Sequence, residues 1–383
     1  MLEKEELEPI PIIGGFRLTS KLKMVVTGGG TGGHFFPALA IRKALQNKGV
    51  EVKYIGSQFG VEASHYSSNS KDELLLNIRG IQRHISIDSL IKNILFPFRF
   101  LKSYIQSWML LHVFKPHMVI GTGGYSSGLP LLAAIHKGIK TVIQEQNSFP
   151  GITTRCLASR VDKICIAYIE TASYLKKKNS IITGNPVREN IQLMDKKQAK
   201  QQFNCNNSQP VLVVLGGSQG SVPLNRHFQQ QCKKYTESGI QILWQCGKKD
   251  YDILQESVNE ENVHLIPFSD DMGALYSAAD LIISRAGALA LSEMALMGKA
   301  MVLVPFPYSA GDHQVKNARV FSKSGAAVLL PQSKLKSGEL ETAVLELFRQ
   351  PEKIREMEEY SIQMAAPDAT ENIIATIMEI AES

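Results

Sequence analysis

His34 closes a run of small residues, Gly28-Gly29-Gly30-Thr31-Gly32-Gly33, which follows the apolar stretch Met24-Val25-Val26-Thr27. A histidine where such a turn becomes a helix has two readings. It is a polar residue capping the helix, or it points into a cleft as a general base, kept neutral by the positive helix end. A second turn, Gly216-Gly217-Ser218-Gln219-Gly220-Ser221, follows Val211–Leu215 and also opens a helix. Glycine lets backbone adopt positive φ and approach a ligand closely, and the helix end behind it offers N–H groups to anions. A third junction, Ser284-Arg285-Ala286-Gly287-Ala288, would seat a pyrophosphate against a helix N-terminus, worth about 0.3–2 kcal/mol. Arg188, just past the turn between the two halves, is a candidate phosphate clamp, and Ser218 in the second glycine turn a hydroxyl donor. Glu293 reads either as an acceptor of ribose hydroxyls or as a solvated surface carboxylate.

These residues need a frame, and the pattern supplies one. Strand-like runs at 24–27, 50–55, 74–78, 117–121, 140–145 and 163–167 alternate with helical periods, and so do 211–215, 240–245, 263–266, 280–284, 300–304 and 327–330. Such alternation predicts an α/β architecture of parallel sheets. Helix 36–48 is expected to start with Pro37 in its first turn and stop at Gly49. The two halves meet near Gly184-Asn185-Pro186-Val187, and a last helix at about 368–381 could pack on either.

At 383 residues two cores are expected. The first turn satisfies GxGxxG, but a dinucleotide site also expects a carboxylate at the end of the second strand. That strand ends Tyr54-Ile55-Gly56-Ser57, which argues against it. Asp312 and His313 are adjacent with no third partner, so no metal is expected. Five cysteines without a CxxC pair read as buried, reduced thiols. A formal charge of +6 suits an anionic substrate or a membrane surface, and no basic–aromatic tract resembles a nucleic-acid groove. Residues 1–23 read as a mobile extension and not a signal peptide. No window is apolar enough to span a bilayer, which places the chain in the cytosol or at a membrane surface.

Taken in order, GGGTGGH with FFPALA, GTGGYSSG at 121–128, EQN at 145–147, GNPVR at 184–188, GGSQGS, RAGALALSE and DHQVKNA at 312–318 resemble the MurG family of peptidoglycan N-acetylglucosaminyltransferases, from residue 24 to the C-terminus. The resemblance implies the GT-B fold, two Rossmann-like domains facing a cleft. They would span 24–187 and 188–367, with helix 368–383 packing back on the first. It implies inverting transfer from UDP-N-acetylglucosamine to the C4 hydroxyl of undecaprenyl-pyrophosphoryl-N-acetylmuramyl-pentapeptide, lipid I to lipid II, at the cytoplasmic face of the bacterial inner membrane. No cofactor is implied.

Carried over by motif, the donor side is Thr31, Gly32, Gly33, Asn147, Arg188, Ser218, Ser269, Ala288, Leu289, Ala290, Leu291, Ser292, Glu293 and Gln314. Ser269 corresponds to a backbone contact with uracil. Ala290 stands where many relatives carry a hydroxyl. His34 is then the expected base, with Glu145 as the alternative base or as the group orienting it. Residues 90–116 would meet an anionic membrane through Ile91, Leu95, Phe96, Phe98 and Trp108 among basic residues, unless they form an ordinary core helix with snorkelling cations. The alternatives are a UDP-N-acetylglucosamine 2-epimerase, a GT-B transferase with another lipid acceptor, and a non-catalytic nucleotide-binding scaffold.

Overall fold

The computed structural model describes residues 22–66, 71–78, 96–175, 179–188, 191–217 and 219–382. Two wholly parallel sheets form its frame. The first contains β1 (Lys23–Thr27), β2 (Glu51–Ser57), β3 (Glu73–Leu76), β4 (Met118–Gly121), β5 (Lys140–Glu145), β6 (Lys163–Ile166) and β7 (Ser180–Ile182), in the order 3-2-1-4-5-6-7. The second contains β8 (Val211–Leu215), β9 (Gln241–Gln245), β10 (Val263–Ile266), β11 (Leu281–Ser284), β12 (Met301–Leu303) and β13 (Ala327–Leu329), in the order 10-9-8-11-12-13.

Because both faces of each sheet carry helices, the central strands are apolar throughout. Alternate residues divide between two cores. Met24, Val26 and Tyr54 pack on one face of the first sheet, and Val25, Ile55 and Val119 on the other. Val211, Val213 and Leu215 oppose Leu212 and Val214 in the same way in the second.

In each sheet the strand order reverses beside the first strand of that half, between β1 and β4 and between β8 and β11. Loops leaving neighbouring strands there run apart and open a crevice at the carboxyl ends, the usual ligand position in open α/β sheets. Both glycine turns leave these strands. Helix Ala369–Glu382 returns to the first sheet, where Ile373, Ile374, Ile377 and Met378 join its core. The two chain passes cross at Gly184, which has φ +84°. A Cβ there would lie 2.4 Å from that of Ala366, so glycine alone fits.

Several expectations need correction. The helix expected at 36–48 runs Gly32–Asn47 with Thr31 at its N-cap, so Pro37 lies beyond the first turn and His34 sits within it. Strand β7 was not anticipated; its three residues are too short for a pattern, and Ile181 and Ile182 are exposed at the sheet edge. Cys156 is exposed, whereas the other four thiols are buried. Of the expected extension, Leu22 is buried and Lys23 begins β1; residues 1–21 lie outside the described residues.

Candidate active site

A cleft of about 1180 Å³ separates the carboxyl ends of the two sheets, and both glycine turns line it. Thr31, Gly32, Gly33, His34, Glu145, Asn147, Arg188, Ala288, Leu289, Ala290, Glu293 and Gln314 all reach its wall.

The first turn is folded tightly against its own half. A side chain at Gly28 would collide with Thr122, whose hydroxyl donates to the His34 carbonyl at 2.7 Å. The His34 ring is placed by its Nδ1, 3.0 Å from both the Thr122 carbonyl and Gln146 Oε1. Both are acceptors, so the proton is on Nδ1 and the lone pair on Nε2. Glu62, fully buried, reaches under the turn and accepts the Gly30 N–H with both oxygens, at 2.9 and 3.0 Å, and the Ser57 N–H at 2.8 Å. An internal carboxylate therefore occupies this turn, and its charge opposes any phosphate brought there.

The second turn has the opposite electrostatics. Arg285 is buried beside it and donates to Ser221 Oγ at 2.6 Å, Gln332 Oε1 at 2.7 Å and the Val304 carbonyl at 3.0 Å. All three partners are neutral, and burial pushes the guanidinium down to about 10, leaving it protonated at neutral pH. Gly217, with φ +89°, opens onto free space, and Gly220 packs against Cys246 and Gly247. Next to it, helix Ala288–Leu296 starts at Gly287, which is open on its cleft side. The first N–H groups of that helix have no intrahelical acceptor. Arg285 was present in the RAGALALSE motif but was not expected as a site residue. Glu62 carried no sequence signal.

Other predicted residues are engaged by neighbouring protein groups or lie away from the cleft wall. Both oxygens of Glu145 are occupied: Oε1 accepts from the N–H and Nδ2 of Asn147 at 3.1 and 3.2 Å, and Oε2 from the Gly151 N–H at 3.0 Å and Thr154 Oγ1 at 2.5 Å. It holds the Asn147–Thr154 loop and makes no bond to His34. Arg188 and Glu293, expected as phosphate clamp and ribose acceptor, face each other at 3.3 Å; the guanidinium also lies 4.9 Å over the Phe36 ring. Burial raises the Glu293 carboxyl above its ordinary value against the pull of Arg188 and of Tyr276, which donates its hydroxyl at 2.9 Å. Leu291 is wholly buried in the core. Ser269 lies off the cleft wall with its N–H donated to Gln245, while Phe268 and Met272 line the cleft. Ser292 also lies off it, and Ser218 is outside the described residues.

The halves are tied together at the cleft floor. Buried Asn317 accepts from the Ser148 N–H at 2.9 Å and donates to Asn147 Oδ1 at 3.1 Å. His313 donates from Nδ1 to the Ala310 carbonyl at 2.9 Å, and burial holds its ring below the ordinary histidine value.

Outside the cleft, helix Phe96–Phe114 packs against helix Tyr125–His136 with its polarity reversed. It buries Ser103 and Ser107 with Leu111 and Phe114, yet exposes Phe98, Leu101, Ile105, Met109 and Val113. Serines allow close approach between helices. The exposed residues recur at spacings of three and four, so they form one stripe. Arg99 and Lys102 adjoin it, and Lys137 lies 4.1 Å over the Trp108 ring. Phe96 is half-buried, and Ile91 and Leu95 are outside the described residues. Among the described residues, no helix is long and apolar enough to cross a membrane.

The family 28 glycosyltransferase N-terminal domain matches residues 24–166, and the C-terminal domain of the same family matches 211–373. A UDP-N-acetylglucosamine–N-acetylmuramyl-(pentapeptide) pyrophosphoryl-undecaprenol N-acetylglucosamine transferase of Flavobacterium psychrophilum is 37% identical over 94% of this chain and 98% of its own length. The same enzyme of Cytophaga hutchinsonii is 36% identical over 94% of this chain and 96% of its own. The chain belongs to glycosyltransferase family 28, in its MurG branch. The crystal structure of Acinetobacter baumannii MurG superposes with a TM-score of 0.74 at 28% identity, over 94% of this chain and all of that one. A UDP complex of Staphylococcus aureus MnaA shares only the fold, with a TM-score of 0.65 at 16% identity over 95% of this chain and 97% of that one. For a family 28 transferase, the decisive internal contrast is between the turns: one holds a carboxylate, the other a buried arginine.

Proposed function

We propose that this glycosyltransferase moves N-acetylglucosamine from UDP-N-acetylglucosamine to the C4 hydroxyl of undecaprenyl-pyrophosphoryl-N-acetylmuramyl-pentapeptide. The reaction is a single inverting displacement: the acceptor oxygen bonds to the anomeric carbon as the bond to UDP breaks. The observation that carries this reading is the unequal charge of the two turns. UDP is placed at the second, where Arg285 and the N–H groups of Ala288, Leu289 and Ala290 offset the charge of the departing diphosphate. Preorganised donors of this kind contribute about 3–4 kcal/mol each. The acceptor sugar is assigned to the first turn, where Glu62 repels a competing nucleotide.

Nε2 of His34 takes the acceptor proton, a contribution of about 10²–10⁴-fold. Leaving-group stabilisation therefore outweighs the base. The exposed apolar stripe of helix 96–114 and its cations are assigned to the surface of an anionic bilayer, from which a lipid-linked acceptor would enter.

Radiolabelled donor tests the reaction: label should move to the lipid acceptor, whereas a manno sugar formed from donor alone would indicate an epimerase instead. His34→Ala should lower kcat at least 100-fold with UDP affinity nearly unchanged. Full turnover would remove His34 from the base role.

A further inference from the structure

His34 begins a hydrogen-bond chain that leaves the first half of the molecule. Its Nδ1–H points to Gln146 Oε1 at 3.0 Å. Gln146 Nε2 donates to the side-chain oxygen of Gln144, as well as to the Thr122 and Gln144 carbonyls. Gln144 Nε2 donates to Asn185 Oδ1 at 3.0 Å. Asn185 Nδ2 donates to Ser292 Oγ at 3.0 Å and to the Gln146 carbonyl at 3.1 Å. Ser292 Oγ donates to the Ala288 carbonyl at 3.1 Å, in the first turn of the helix assigned to the donor. The three amides are buried.

Every link runs in the same sense, donor to acceptor, from the imidazole to the donor helix. Links polarised in one sense reinforce one another. Each amide is also held in one orientation. The NH2 of Gln146 is committed to Gln144 and Thr122, so only its oxygen can face His34. Were that amide to turn, its NH2 would compete with the Thr122 carbonyl at Nδ1 and shift the ring toward the tautomer protonated on Nε2, which has no lone pair there to take the acceptor proton.

We infer that Gln146, Gln144 and Asn185 are positioning residues: a polarised amide relay holds His34 in its basic tautomer and ties that state to the seating of helix 288–296 against the first half. The Asn185–Ser292 bond is where the relay crosses between the halves. The inference rests on the reading of His34 as the base. The relay does the orienting work that a carboxylate does in a triad, without adding a charge. Glu145, one residue away in sequence, is committed to its loop and takes no part.

The test uses the full chain labelled with ¹⁵N-histidine, the His34 resonances being identified by comparison with His34→Gln. Wild-type His34 should show a protonated Nδ1 and an unprotonated Nε2. Asn185→Leu, which cuts the link between halves, and Gln144→Leu, which cuts it inside the first half, should each populate the Nε2–H form. Each should also lower kcat about 10- to 100-fold, the scale seen when a group orienting an imidazole is lost, while the donor KM stays within about threefold. A folding defect in one variant, seen as a lost thermal transition, leaves the other to decide. An unchanged tautomer in the folded variants overturns the relay. A shifted tautomer with full turnover sustains the relay and instead removes His34 from the base role.

Discussion

Replacing Ile105 and Met109 together by serine tests the membrane assignment with little expected change in the fold. The two side chains are 47% and 60% exposed, one helical turn apart in the middle of the stripe. Fully burying such a side chain is worth about 1.5–3 kcal/mol, so inserting the exposed half of each is worth about 1–1.5 kcal/mol. The pair should contribute about 2–3 kcal/mol, a factor of about 30–150 in partitioning. Sedimentation with vesicles measures this, once with neutral lipid and once with anionic lipid. The same factor should appear on both, because apolar burial does not depend on headgroup charge. Wild-type binding should in addition be tighter on anionic vesicles by about 1 kcal/mol for each engaged cation, and lose that excess in high salt. The thermal transition should barely move, since neither side chain lies in a core. Partition coefficients within threefold of wild type would refute the assignment.

Three other outcomes follow from the same structure. Arg285→Met should weaken UDP binding in calorimetry by at least tenfold, on the scale of about 1.5–3 kcal/mol for a hydrogen bond to a charged group; unaltered affinity would place the diphosphate elsewhere. Leu291→Ala should destabilise by about 2–5 kcal/mol through a core cavity, seen in denaturant melts, whereas a donor-contact role predicts lost affinity with normal stability. Burial pushes Lys299 from 10.5 down to about 8. Between these values the unfolded chain binds the extra proton, so the folded state gains stability as pH rises through that window. Lys299→Met should remove this gain, and melts at pH 7 and pH 10 that differ equally in both proteins would contradict it.

The frame was legible because its signals are local. Apolar runs such as Val211–Leu215 show covered parallel strands, and the glycine-rich turns mark where strands hand over to helices. Helix starts were less legible: the glycines that suggested a loop at 32–33 are already helical, with Thr31 at the N-cap position and tertiary contacts from Glu62 and Thr122 holding the turn. In the 288–293 stretch, the motif carried Leu291 and Ser292 in with the donor contacts. A helix rotates successive residues by about 100°, which turns Leu291 into the core and Ser292 off the wall while Ala290 and Glu293 line the cleft.

By itself the sequence determined the α/β class, the duplication of the turns and, through its ordered motifs, the family. Those properties depend on residue type and spacing along one chain. The difference between the turns was decided by the tertiary structure, because the groups that set it come from far along the chain. Glu62 accepts the Gly30 N–H from 32 residues away, and Arg285 reaches Ser221 from 64. The tautomer of His34 is set by the Thr122 carbonyl, 88 residues on, together with Gln146, 112 residues on, and is tied through Asn185 to Ser292 in the other half. Electrostatic and hydrogen-bond energies follow distance in space, and only the packed sheets bring these groups within reach.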